Sequence, residues 1–214
     1  MEEIMRRRYS PSILLAIVFG LLLQGTGMAH SDTESPDSSR LDVGDWVVYR
    51  YHGTLVPEPI TLSEWVVARS GQQITIRVRW HQSGREREWE MLLTDTPQNR
   101  AKNRTDRLFA IEANGLRELP NNDAELLRLF EGTYAIPETP LQRISTDCVH
   151  VTLCGVEHQC NITTSLTRVA GREAYWRDRQ CPRFPWQDAG VEITSLRDGT
   201  VLLASHVAAC GRRM

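Results

Sequence analysis

The sequence predicts a mainly β fold, a long antiparallel meander interrupted by one short helix. Three observations carry that reading. Residues 74–93 alternate apolar and polar side chains on both sides of a Ser83-Gly84 pair. Alternation of β-branched and aromatic residues recurs from Asp45 to Val207 between turn residues. Only Asp123–Glu131 combines an apolar stripe of helical spacing with capping residues at both ends.

The first strand is expected over Asp45–His52 (DWVVYRYH), and the second over Thr61–Arg69, after a Pro57-Glu58-Pro59 break. The next two are tied together by their turn. A two-residue Ser83-Gly84 turn pairs residues whose numbers sum to 167. Arg79 then faces Glu88, Arg77 faces Glu90 and His81 faces Glu86 on a solvent side. Val78 faces Trp89, Ile76 faces Met91 and Ile74 faces Leu93 on the core side. A slip of one residue would break both sets, so the register is well specified.

Residues 94–106 read as a polar loop, followed by a hairpin turning at Asn114-Gly115, from Leu108–Ala113 to Leu116–Leu119. Asn122 and Glu125 form a capping box for the helix, Leu126, Leu127 and Phe130 its apolar stripe, and Gly132 its stop. Strands resume over Asp147–Cys154, Gln159–Arg168 and Arg172–Arg179, and a last hairpin joins Val191–Leu196 to Val201–Val207 around Asp198-Gly199.

The amino-terminal segment has the layout of an export signal. Arg6, Arg7 and Arg8 precede an apolar run of 11 residues, Ile13–Leu23, and Gly27-Met28-Ala29 offers a cleavage site. The run is short for a span, which needs ~20 residues. The expectation is a signal peptide over 1–29, a disordered spacer over 30–40 and one β-rich domain over 41–210, in a periplasmic or secreted protein. The alternative is an uncleaved segment that anchors the protein in a membrane. Removal of residues 1–29 leaves 25 acidic and 22 basic residues. No clustered basic face suggests nucleic acid as a partner. The basic residues are 24 Arg and a single Lys, Lys102, which reads as coding bias rather than function.

All five cysteines, Cys148, Cys154, Cys160, Cys181 and Cys210, lie in the last third of the chain, and in an exported protein they are expected to pair. An Ala170-Gly171 turn pairs residues whose numbers sum to 341, which puts Arg168 opposite Glu173, Leu166 opposite Tyr175 and Cys160 opposite Cys181. Opposed residues at a non-hydrogen-bonded site have Cα atoms ~4.5 Å apart, within reach of a bridge. The expected disulfide is therefore Cys160–Cys181, with Cys154–Cys160 as its competitor and no partner assigned to Cys148 or Cys210.

Other clusters are better read as structure than as chemistry. Cys148, His150, Cys154, His158 and Cys160 are metal-ligand types, but they lack zinc-site spacing. Cys148 and His150 share a strand face without any mark of a nucleophile. Glu86, Glu88 and Glu90 face arginines, as a solvated charged face does. No motif of a nucleophile elbow, metalloprotease, phosphate loop or dinucleotide fold is present. Six tryptophans fall mostly in strands, as core residues or as a greasy surface, and Phe184-Pro185-Trp186 reads as a loop that caps the core or makes a contact. Asn103 and Asn161 match glycosylation acceptors, which matter only in a eukaryotic secretory route.

The ending of the chain runs Tyr175-Trp176, Cys181-Pro182, Gly190-Val191-Glu192-Ile193, Asp198-Gly199, Leu202-Leu203. With the export signal and the meander, it resembles the periplasmic lipoprotein-localisation (LolA/LolB-like) half-barrel superfamily. The resemblance implies a curved antiparallel sheet with a short helix packed on its concave face and an apolar ligand held there. Five cysteines and a single short helix depart from the carriers of that superfamily. No ligand residue is carried over. The function expected is non-enzymatic, without a cofactor: binding of an apolar ligand, a lipid or acyl chain, or of an envelope protein partner. The alternative is an assembly adaptor that recruits a protein by pairing along a sheet edge.

Overall fold

The computed structural model describes residues 40–96, 99, 105–120, 125 and 128–212. The expected signal peptide and spacer lie outside the described residues, apart from Arg40. The strands are β1 (Asp45–Gly53), β2 (Val56–Ser70), β3 (Gln73–Gln82), β4 (Arg85–Thr94), β5 (Arg107–Glu112), β6 (Gly115–Leu119), β7 (Gln142–Leu153), β8 (Val156–Val169), β9 (Arg172–Gln180), β10 (Asp188–Ser195) and β11 (Val201–Arg212). They form one antiparallel sheet in the order β6-β5-β4-β3-β2-β1-β11-β10-β9-β8-β7. Consecutive strands pair, except β6 with β7, and at the centre β1 pairs with β11. β6 and β7 are the two edges, so the sheet is not closed into a barrel.

The β3–β4 register sums to 167 from Gln73↔Thr94 to Gln82↔Arg85. Ser83 (φ 49°) and Gly84 (φ 76°) make the turn, both in the left-handed region that a tight hairpin of this hand demands. Arg79 donates to Glu88 at 2.8 Å and 3.0 Å, and Arg77 donates to Glu90 at 2.5 Å and 2.9 Å. One detail differs from the sequence reading. Glu90 is not on an open solvent face but buried, 6% exposed. Phe109 of β5 stands opposite it and Trp65 of β2 stands opposite Arg77, so aromatic rings flank the pair.

Two further expectations are corrected. Pro57 and Pro59 do not break the chain, and β2 runs through them for 15 residues. They fall where the β1–β2 register shifts, between Gly53↔Val56 and Tyr51↔Ile60, and beyond the end of the β2–β3 ladder. A proline there removes no ladder hydrogen bond. The β5–β6 turn is Ala113-Asn114 rather than Asn114-Gly115, because Glu112 pairs with Gly115.

The two faces of the sheet can be named from β1. Val47, Tyr49 and Tyr51 point to one face, and Trp46, Val48, Arg50 and His52 to the other. The Val47 face carries the main core: Ile60, Leu62, Val78, Trp80, Trp89 and Leu108 are all at most 2% exposed. A returning segment covers it. Phe130 meets Trp89 edge-on at 5.2 Å, and the Trp80 indole donates to the Glu131 carbonyl at 3.1 Å. Leu129 and Ala135 are buried there too. The helix expected over Asp123–Glu131 lies largely outside the described residues. Glu125, Arg128 and Leu129 have helical backbone, too few to define an element.

Candidate functional site

The second half of the sheet, β11 to β7, is curled, and a disulfide ties the curl together. Cys154, in the β7–β8 turn, is bridged to Cys210 near the end of β11, with Cα atoms 5.7 Å apart. In a flat sheet at ~4.8 Å per strand, β8 would lie ~14 Å from β11. The bridge is therefore possible only because this half bends back on itself. Cys160 and Cys181 form the second disulfide, Cα–Cα 4.1 Å, one step beyond the Asn161↔Gln180 pair in the register that sums to 341. Ala170 (φ 48°) and Gly171 (φ 72°) form its turn. The Cys154–Cys160 competitor is not formed.

The inside of the curl is a cleft of about 790 Å³ on the Arg50 face. One cross-strand row, His52–Ala204–Glu192–Arg177–Thr164–Ser145, runs along its floor through β1, β11, β10, β9, β8 and β7. A parallel row holds Arg179, Ile162 and Asp147, with Arg50 opposite His206 at its other end. Between His206 and Arg179 sits Gly190, in the bulge between Asp188 and Val191. Its φ is 110°, and a Cβ there would lie 3.1 Å from the His206 Cα and collide with the Ser205 carbonyl. Only glycine lets β10 approach β11 so closely, and no side chain fills the floor at that point.

The cleft is mixed in chemistry. Ile144, Val149, Ile162, Val191 and Val201 supply apolar wall. Arg177 donates to Glu192 at 3.0 Å. The His52 and His206 rings meet edge-on with centroids 6.1 Å apart. Burial, then the charges of His52, Arg50 and Arg179, hold His206 below the ordinary histidine value. The buried Nε–H of Arg179 has no hydrogen-bond partner.

One end of the curl is closed by a small apolar cluster. Leu153, Cys160, Cys181 and Phe184 are buried, and Phe184 meets His158 edge-on at 5.6 Å. Phe184-Pro185-Trp186 thus caps the core. Cys148 is the free cysteine, exposed beside His150 on β7 and accepting from Gln159 at 3.0 Å. No group of three or more metal-ligand side chains occurs among the described residues. Glu86, Glu88 and Glu90 lie on the Arg50 face of the other half, outside the cleft.

Sequence reasoning located none of the cleft's polar residues. Arg177 and Arg179 alternate within one strand, a visible signal. His52 and His206 join them only through the β1–β11 pairing, which links positions more than 150 residues apart and leaves no local trace.

No protein-family profile matches the chain, and no curated protein does. Solved structures with similar backbone courses include three bacterial proteins. The hypothetical protein CT021 from Chlamydia trachomatis has 10% identity and TM-score 0.44, over 80% of this chain and 88% of that one. A "putative exported protein with YmcC-like fold" from Bacteroides fragilis has 8% identity and TM-score 0.43, over 81% and 98%. MucB in the Pseudomonas aeruginosa MucA/MucB complex has 11% identity and TM-score 0.37, over 78% of this chain. The chain spans about half of that MucB chain, 50%.

Proposed function

We propose that this is an exported, non-enzymatic β-rich protein of the bacterial envelope that binds a protein partner, taking an extended segment of it along the β7 edge into the cleft. The observation that carries the reading is the position of β7. It is an edge strand of 12 residues, unpaired on its outer side among the described residues, and its Ile144, Ser145, Asp147 and Val149 form one wall of the cleft. An added strand would gain main-chain hydrogen bonds from β7 and lay alternate side chains into the cleft. The other edge, β6, has only 5 residues. Export and a periplasmic or secreted location are supported by the Arg6–Ala29 segment and by the disulfides.

The second reading, an acyl chain or other apolar ligand, is favoured by the apolar wall of the same cleft. Two observations weigh against it: the Val47 face is already covered by the chain's own residues 128–135, and the cleft floor is charged.

A photo-crosslinking amino acid at Ile144, 54% exposed, tests the proposal, with Leu116 on β6, 53% exposed, as control. In cell-envelope material the expected result is one dominant polypeptide adduct from position 144 and none from 116. Lipid adducts at 144, or the same adducts at both edges, would overturn it.

A further inference from the structure

We infer that the cleft recognises an acidic side chain of the extended partner, seating its carboxylate between His52, His206 and Arg179. The inference deepens the proposed peptide-binding function and rests on it for the peptide, though not for the anion.

Four basic groups of the cleft region lack an acidic partner among the described residues. Many arginines elsewhere in this chain have carboxylate partners, among them Arg77 with Glu90, Arg79 with Glu88, Arg107 with Glu118 and Arg212 with Asp45. In the cleft region, Arg50, His52, Arg179 and His206 have no carboxylate partner among the described residues. The two acids that line the cleft are already engaged. Glu192 accepts from Arg177 and from the Thr194 hydroxyl at 3.3 Å, and Asp147 accepts from the Ser145 hydroxyl at 3.1 Å.

The buried Nε–H of Arg179 has no partner among the described residues, and an unmet donor is costly, more so when charged. Arg179 also lines the cleft, where an arriving carboxylate would meet its charge. Gly190 lines the cleft beside His206 and presents only backbone there. Arg50 and Arg179 lie near enough to His206 to depress its protonation, so the local field is positive. The other titratable group of the cleft, Tyr175, stands on the far side of Arg177 along β9. A carboxylate placed there would meet donors on β1, β9 and β11, and it would raise the pKa of His206, which burial and its basic neighbours hold down. Binding must then tighten as pH falls through the histidine range, while a glutamate at ~4.3 stays ionised.

The test uses the oxidised protein and two fluorescein-labelled hexapeptides, Thr-Val-Glu-Val-Thr-Val and its Gln counterpart. Anisotropy gives Kd at pH 7.5 and 5.5. In parallel, acetate is titrated against the Arg179 Nε–H and His206 imidazole signals by NMR. The expected result is at least tenfold preference for the Glu peptide at pH 7.5, a larger preference at pH 5.5, and its loss in Arg179→Gln and His206→Gln. Thermal unfolding checks that both variants fold, and Arg179→Lys should retain part of the preference. Acetate should shift both signals. Equal affinity for the two peptides would overturn the carboxylate seat and leave the groove standing. Acetate shifts with no binding of either peptide would keep the anion seat and remove the groove. No response to peptides or acetate would overturn both. Stronger binding of phosphatidylglycerol vesicles than of the Glu peptide would overturn the assignment to an acidic peptide.

Discussion

Two carboxylates set in the middle of the fold define its chemistry at the scale of single residues. Glu64 stands opposite Val47 and Val78, on the apolar face of the sheet. Asp188 accepts from the Gly190 N–H at 2.7 Å, and its carbonyl accepts from the Tyr49 hydroxyl at 3.1 Å. Each keeps part of its surface open, yet protein atoms crowd it on every side. That crowding raises Glu64 to about 7, with Asp188 adding to the shift, and raises Asp188 to about 6 against the opposing hydrogen bond from Gly190. An acid raised in this way keeps a proton that the unfolded chain has already lost. Its contribution is therefore full below pH ~4.5 and is lost as pH rises towards 7. Glu64→Gln is expected to flatten the fall in the thermal midpoint between pH 4.5 and 7.5, compared by calorimetry with the unmodified protein. The full shift would correspond to at most ~3 kcal/mol, and the open part of the carboxyl reduces it. A variant with the same pH slope would show that Glu64 ionises freely in the fold.

At the scale of elements, the β3–β4 hairpin separates core from charge. Trp89 is fully buried against Phe130, whereas Glu88 and Arg79 meet at the surface. Trp89→Ala should cost ~3–5 kcal/mol in urea unfolding, and Glu88→Gln only ~0.2–1 kcal/mol. Comparable losses would mean that the ion pair, not the ring, holds the hairpin. This hairpin and β8–β9 were legible in the sequence, because each is a local problem. A two-residue turn with a left-handed glycine sets a sum, and the sum sorts every side chain onto a face. The reading failed where that reasoning had nothing local to act on. Pro57 and Pro59 look like breakers until the neighbouring ladder is known to bulge away from them. Glu90 looks solvent-facing until Phe109 is placed beside it by a third strand. The cleft depends on the Gly190 bulge and on β1 meeting β11, and neither follows from alternation within one strand.

Across the whole molecule, the Cys154–Cys210 bridge fixes how tightly the second half is bent. It spans 56 residues in sequence and should contribute about 4 kcal/mol in the chain-entropy account. Cys210→Ser should therefore do more than lower stability. Amide exchange should speed up in β7 and β8 around the cleft and stay slow in β2, β3 and β4, where the covered core is independent of the bridge. Uniform acceleration across all strands would show that the curl and the core form one cooperative unit.

The pairing of β1 with β11 also has a consequence in time. A chain is made from its first residue onward. β1 can pair with β2 early, but its other edge stays bare until Val201–Arg212 arrives, since β11 is the strand that joins the two halves among the described residues. During that interval the protein is two unfinished sheets with open seams, and its last twelve strand residues act as the closing zip. A nascent chain cut short before Val201 would thus lose not a terminal strand but the hinge between its halves, and would present two adhesive edges to its surroundings.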